Sequence, residues 1–231
     1  MPAPSQLSPR ARRLAAGLIH KTWEWVGRVG TIGPDDALGR RFGAMGWGSA
    51  IAFPPGVVFG ERWIRIGADT LIGPHVGLSV GLDAGDDMAG ADGAVVMIGD
   101  RCTIGRGSAV VARCRVEIGD DVSTGPNVYI TDHNHTYADP AIPLGRQWPA
   151  EDPVRIGSGS WLGAGVIVLP GADIGCHVTV GAGSVVRGIV PDHSVVAGSP
   201  ARVVRRFVDG QGWVPALRPQ VVRPPVGWVA T

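Results

Sequence analysis

The chain has 231 residues, enough for one solenoid domain with terminal elaborations, and we expect no second globular domain. A net charge of +1 excludes the broad positive field that nucleic-acid binding needs, and no run of about 18 apolar residues is present to span a bilayer. The 36 Gly and 19 Pro beside 6% aromatic residues resemble a low-complexity composition, yet the glycines recur at fixed spacing between Val and Ile, so ordered turns account for them.

Residues 1–50 read as a helical lead-in and cap. Arg10-Ala11-Arg12-Arg13 followed by Leu14 to Ile19 has the outline of a signal peptide, but the apolar run stops at His20-Lys21 without a cleavage site. A short amphipathic helix is the better expectation, with Trp23 and Trp25 packed on the first coil or on a neighbouring copy. Three cysteines, an odd number, suit a reducing compartment, so a cytoplasmic protein is expected.

Residues 51–200 carry a hexad. It is weak through Val58, Ile66 and Ile72, then regular at Ile98, Ile104, Val110, at Ile118, Thr124, Ile130, and at Ile156, Leu162, Val168, Ile174, Val180, Val186. Gly usually follows the aliphatic or β-branched residue, and a small or β-branched residue stands four places on, as in Ile98-Gly99-Asp100-Arg101-Cys102. A fixed short period of this kind marks a β-helix, whose coils must stack to bury their apolar faces. Two stretches break the register. Residues 82–94 hold four acidic residues and no apolar period, and residues 131–153 hold His133, His135, Tyr137, Trp148 and four prolines. A loop of more than about 15 residues is uncommon in a compact domain unless it is functional or disordered, and the aromatic content of 131–153 favours function. Residues 201–231 are expected to form a basic helix through Arg202 and Arg205 and then an extended Pro/Trp-rich tail.

Two histidines on a loop that leaves a rigid rod can supply a general base, because imidazole accepts a proton near neutral pH. With Asp132 beside them, and His75 and His177 elsewhere, they can equally supply zinc ligands. Asp132 can orient an imidazole ring or close a turn on its own local backbone, the commoner use of Asp. Gly105-Arg106-Gly107, Gly163-Ala164-Gly165 and Gly181-Ala182-Gly183 resemble fragments of a dinucleotide loop but lack its third Gly and its helix, so they read as coil corners. Cys102 and Cys114 fall at small-residue slots and Cys176 between corner residues, which argues for packing rather than a nucleophile.

Four motifs occur in order over about residues 60–206: Ile130-Thr131-Asp132-His133-Asn134-His135, Trp161-Leu162-Gly163-Ala164, Val180-Gly181-Ala182-Gly183-Ser184-Val185-Val186 and Gly198-Ser199-Pro200-Ala201-Arg202-Val203. Together they resemble the hexapeptide-repeat O-acyltransferases of the maltose and galactoside acetyltransferase type, above all the bacterial branch that modifies sugars and polysaccharides. That resemblance implies an all-β fold, a left-handed parallel β-helix of three hexads per triangular coil, assembled as a homotrimer. It also implies acyl-CoA as co-substrate between adjacent subunits, with no permanently bound cofactor, and a carbohydrate acceptor.

Under the resemblance a loop histidine is the general base. An ungapped reading from Pro126-Asn127-Val128 points to His135, the Thr-x-His start of the loop points to His133, and both are kept with His135 ahead. Trp161 matches an aromatic near the thioester, Ala164 and Ala182 match positions whose backbone meets the pantetheine arm, and Arg202 and Arg205 match residues that meet the CoA phosphates. Arg187-Gly188 replaces the family's Thr-Lys, so Arg187 is a shifted phosphate contact. Arg113 and Cys114 stand where simple sugar acetyltransferases carry an acidic acceptor residue, which leaves Asp132, Tyr137 and Trp148, with Asp86 and Asp87 of the first loop, as acceptor contacts. The alternatives are an amino-sugar N-acyltransferase, a γ-type zinc carbonic anhydrase, which needs three converging histidines, and a non-catalytic scaffold.

Overall fold

The hexads wind into three parallel sheets around one core. The structure, a computed structural model, describes residues 8–82 and 93–221. Among these the first face stacks Ala44–Met45, Ile64–Ile66, Val96–Ile98, Val116–Ile118, Val154–Ile156, Asp173–Ile174 and Ile189–Val190. The second stacks Ala50–Ile51, Leu71–Ile72, Thr103–Ile104, Ser123–Thr124, Trp161–Leu162, Thr179–Val180 and Ser194–Ala197. The third stacks Val58–Phe59, Gly77–Val80, Ala109–Ala112, Tyr129–Thr131, Ile167–Val168 and Val185–Val186. This is the left-handed parallel β-helix that the resemblance implies.

Register follows the hexad. On the first face Ile66, Ile98, Ile118, Ile156, Ile174 and Val190 are directly paired, and on the third Leu78, Val110, Ile130, Val168 and Val186. All of them are buried. Side chains alternate across a strand, so one inward residue per short strand fills a shaft of Ile and Val that no single coil encloses. The residues four places on, including Cys102, Ser108, Val122, Ser160, Val166, Val178 and Ser184, are buried as well. Buried hydroxyls there bind the next coil's backbone: Cys102 N–H donates to Thr70 Oγ1 at 3.0 Å and Val178 N–H to Ser160 Oγ at 3.0 Å. The hexad glycine has a steric reason. A Cβ at Gly105 would overlap the Gly125 carbonyl of the adjacent coil.

Irregularity collects at one corner. The turn from the third face to the first contains the excursion after Val80, the segment after Val110, and the excursion after Thr131, in three successive coils. From Val168 to Ile174 that turn keeps the six-residue step, whereas from Val110 to Ile118 it takes eight. Residues 83–92, with Asp86 and Asp87, lie outside the described residues.

The ends differ from expectation. A helix, α1 (Pro9–Val29), forms as expected, capped by Ser8 Oγ accepting from Ala11 N–H, but it buries none of its residues. Trp23 and Trp25 are 63% and 59% exposed, so they do not pack on the first coil. At the other end no basic helix forms: Arg202–Val208 is a strand antiparallel to Ser194–Ala197, and Gly212–Val221 adds a further antiparallel strand. The last coil offers a row of unpaired backbone groups, and Arg202-Val203-Val204-Arg205-Arg206-Phe207 is β-branched enough to cover it.

Candidate active site

Asp132 follows Thr131 at the end of a third-face strand and is fully buried. Its carboxylate is met by the backbone of the coil before it. Arg113 N–H donates to Oδ1 at 2.9 Å and to Oδ2 at 3.0 Å, while Cys114 N–H and Arg115 N–H donate to Oδ2 at 2.8 and 2.7 Å. These three successive donors sit in the lengthened turn after Val110, so the two extra residues make a concave row of N–H groups that holds an anion. Burial pushes the Asp132 carboxyl up, but the hydrogen bond from His133 and the three from the backbone outweigh it and hold the group below the usual carboxylate range. The same environment acts oppositely on its neighbour. Burial, and then the Asp132 charge, push the Cys114 thiol up to about 12, so it stays protonated and poorly nucleophilic at neutral pH. Burial likewise raises the Cys102 thiol.

His133 completes the arrangement. Its Nδ1 lies 2.9 Å from Asp132 Oδ1 and 3.3 Å from Thr131 Oγ1, and its side chain is 15% exposed. An ionised carboxylate only accepts, so Nδ1 carries the hydrogen and Nε2 keeps the lone pair needed to take a proton. Asp132 therefore orients a ring and binds backbone at once, and the backbone it binds belongs to residues 113–115 rather than to its own turn.

His135 is arranged differently. It is exposed, and its backbone N–H donates to Asn134 Oδ1 at 3.0 Å, while no hydrogen bond to its ring is found among the described residues. The excursion that carries both histidines is ordered. His133–Asn134 pairs antiparallel with Ala150–Glu151, in register His133 to Glu151, and Asp152 N–H donates to the Asp132 carbonyl at 2.7 Å. Its base is pinned by Arg113, buried to 7% exposure, whose Nε donates to Glu151 Oε1 at 2.7 Å and whose guanidinium lies 4.5 Å from the Trp148 ring centre. Thr136 Oγ1 donates to the Trp148 carbonyl at 2.9 Å, and Tyr137 stands exposed on the outer part.

Arg113, Glu151 and the 113–115 turn are missing from the sequence-derived site. The eight-residue step from Val110 to Ile118 was their one signal in the sequence.

The expected cofactor positions gather elsewhere. Trp161, 52% exposed, heads a row of directly paired residues on the second face, running through Thr179 and Val195 to Arg205. Three strand spacings separate its ends, about 14 Å. Ala164 and Ala182 occupy the same corner of consecutive coils beside that face, both exposed, with Gly183 N–H donating to the Ala164 carbonyl at 2.8 Å. Arg202 shares the strand of Arg205, and its Nη1 donates to the Ala201 carbonyl at 2.9 Å. Arg187 lies instead on the corner of His133, two coils further on.

In the triangular section that corner is opposite the second face. One chain thus brings together Asp132, His133 and Trp148, and separately Trp161, Ala164, Ala182, Arg202 and Arg205. His75, His133 and His177 fall at three different corners, so they do not converge within one chain. Among the described residues no three His, Cys, Asp or Glu side chains group as metal ligands.

Parts of the chain resemble known proteins. Residues 153–188 match the family model described as bacterial transferase hexapeptide (six repeats), and residues 95–132 match that of the hexapeptide repeat of succinyl-transferase. A probable acetyltransferase of Mycobacterium tuberculosis is 34% identical over 144 residues, 62% of this chain and 42% of that protein. The galactoside O-acetyltransferase of Escherichia coli is 36% identical over 94 residues, 41% of this chain and 45% of that enzyme. The chain thus spans less than half the length of these curated relatives. Among solved structures, a variant of AntD, an N-acyltransferase from Bacillus cereus in complex with dTDP-4-amino-4,6-dideoxyglucose and coenzyme A, superposes with a TM-score of 0.61 at 19% identity, covering 75% of this chain and 89% of that one. That likeness speaks for the fold alone. On these matches residues 95–132 and 153–188 carry the hexapeptide repeat, and the chain shares its fold, the left-handed β-helix, with the solved structure.

Proposed function

We propose that the chain is an acyl-CoA-dependent O-acyltransferase that acts on a hydroxyl of a sugar or glycoconjugate, with His133 as general base and Asp132 as the group that orients it. The observation that carries this reading is the imidazole whose Nδ1 is bound to a fully buried carboxylate at 2.9 Å on the excursion from the rod. Nε2 takes the proton of the acceptor hydroxyl while the oxygen attacks the thioester carbonyl. The carbon–sulfur bond then breaks, and the imidazolium returns the proton to the departing CoA thiolate. Avoiding a free alkoxide in this way is worth about 10² to 10⁴ in rate. The ordered ring and the protonated neighbouring thiol together favour direct transfer without an acyl-enzyme.

The row from Trp161 to Arg205, exposed at its ends and half-buried between, suits an extended co-substrate, with an aromatic ring at one end and guanidinium groups for phosphate at the other. Since that row and His133 lie on opposite sides of one triangular coil, a complete site needs a second copy, and a cyclic trimer supplies three equivalent sites. Oxygen rather than nitrogen as the accepting atom rests on relatives named galactoside O-acetyltransferases.

Incubation with acetyl-CoA and a panel of sugars and amino sugars, following free thiol release and the acylated product, tests the proposal. Sugar-dependent release that falls about 10² to 10⁴ in His133→Ala and little in His135→Ala is expected. Release unchanged in His133→Ala overturns the mechanism, and product formed only with amino sugars moves the chemistry to nitrogen.

A further inference from the structure

The first helix is turned the wrong way round for a helix that packs on its own rod. Leu14, Leu18, Trp25 and Val29 line one side of α1 at helical spacing, while Ile19 and Trp23 lie further round the helix beside Arg12. Arg13 and Glu24 fall on the other side, and Arg10, Lys21 and Arg28 lie at its edge next to the Leu14–Val29 row. The polar side faces the coils: Glu24, Gly27 and Arg28 line a groove with Ala52 and Phe53, and Gly30 lies so close to the Phe53 ring that a Cβ there would overlap it. The apolar side points away. Leu14, Leu18, Trp25 and Val29 are 77%, 68%, 59% and 64% exposed, and none of the described residues covers them.

We propose that this face of α1 docks in the plane of an anionic lipid surface. Charge selects the occupant. The helix carries Arg10, Arg12, Arg13, Lys21 and Arg28 against Glu24, whereas the whole chain has a net charge of only +1. Helices of symmetry-related copies would bring like charges together, while anionic headgroups complement them. Arg10, Lys21 and Arg28 border the Leu14–Val29 line, where long basic side chains reach headgroups as the apolar row sinks into the acyl boundary, and tryptophan favours that boundary. No described helix is long and apolar enough to cross a membrane, so α1 lies along the surface. The inference is independent of acyl transfer.

Co-sedimentation of the full chain with vesicles tests it. The probes are phosphatidylcholine alone and phosphatidylcholine with about a quarter phosphatidylglycerol, at low and high salt. Binding to the anionic vesicles is expected, weakened by salt, with a blue shift of tryptophan emission. Reversing Arg10, Arg12 and Arg13 to Glu lowers the affinity about a hundredfold or more, and Leu18→Glu with Trp25→Glu removes it. Both variants keep the β-rich circular dichroism and the melting temperature of the parent, since α1 buries no residue. Equal binding to both vesicle types overturns the proposal, as does no binding to either. So does loss of self-association, rather than of vesicle binding, in the Leu18→Glu, Trp25→Glu variant, because a second copy would then be the occupant.

Discussion

At the residue scale the chemistry turns on one carboxylate that is ionised in the interior. Asp132 has its folded pKa depressed, so its contribution to stability is fully present above the ordinary carboxylate pKa of about 3.9 and is lost as pH falls through the lower folded value. Asp132→Asn replaces one of the two oxygens that accept from the N–H groups of residues 113–115 and His133 with a donor, and is expected to cost about 2 to 4 kcal/mol near neutral pH. Denaturant unfolding across pH checks this: the gap between parent and variant narrows below about pH 4. The same substitution loosens the tautomer of His133 and lowers kcat by about a hundredfold with KM little changed, which a loss of stability alone would not do. Cys114, with its thiol held near 12, resists iodoacetamide at neutral pH, and mass spectrometry of the treated native protein reads this directly.

At the scale of elements, a regular solenoid acquires a site through two adjacent deviations. The coil that ends at Ile118 is two residues longer than a regular one and supplies the N–H row, and the next coil supplies the carboxylate and the histidine. The 133–151 hairpin is fastened to this pair by Arg113, through Glu151 and the Trp148 ring. Arg113→Met keeps most of the apolar stem and removes both attachments, so faster amide exchange at Asn134 and Ala150 and a roughly tenfold lower kcat are expected, with the rest of the rod protected as before. Within the coils, Gly105→Val forces a side chain onto the Gly125 carbonyl and is expected to destabilise by several kcal/mol, about 3 or more, measured by thermal unfolding.

At the scale of the whole molecule, the proposed function makes the active unit an assembly, because the His133 corner stands opposite the Trp161–Arg205 row. Two variants, His133→Ala and Trp161→Ala with Arg205→Ala, are each expected to be inactive alone. Mixed in equal amounts after reversible dissociation, they should regain roughly a quarter of parental activity, because random assembly leaves that share of interfaces with both halves intact. A site contained in one chain would regain none. The N-terminal helix, turned outward, adds a second surface at one end of the same rod.

How far the sequence reads ahead of the structure varies along the chain. The hexad is legible because burial in a stacked coil is local: each inward residue needs only its neighbours above and below, so the period alone placed the Ile98 to Val186 shaft and the 131–153 excursion. The 201–206 segment was misjudged as helix because its conformation is set by the open edge of the last coil, which lies outside the segment itself. Pattern offers two histidines as candidate bases, and only three dimensions show that a buried carboxylate reaches the ring of His133 and not that of His135. That carboxylate is held by N–H groups seventeen to nineteen residues earlier in the chain. Sequence alone determined the rod, its repeat and the place where it breaks, because these follow from short-range periodicity. Tertiary structure alone decided which imidazole is oriented, which face the helix shows and that the His133 corner stands opposite the Trp161–Arg205 row, because these depend on what stacking brings together across coils and corners.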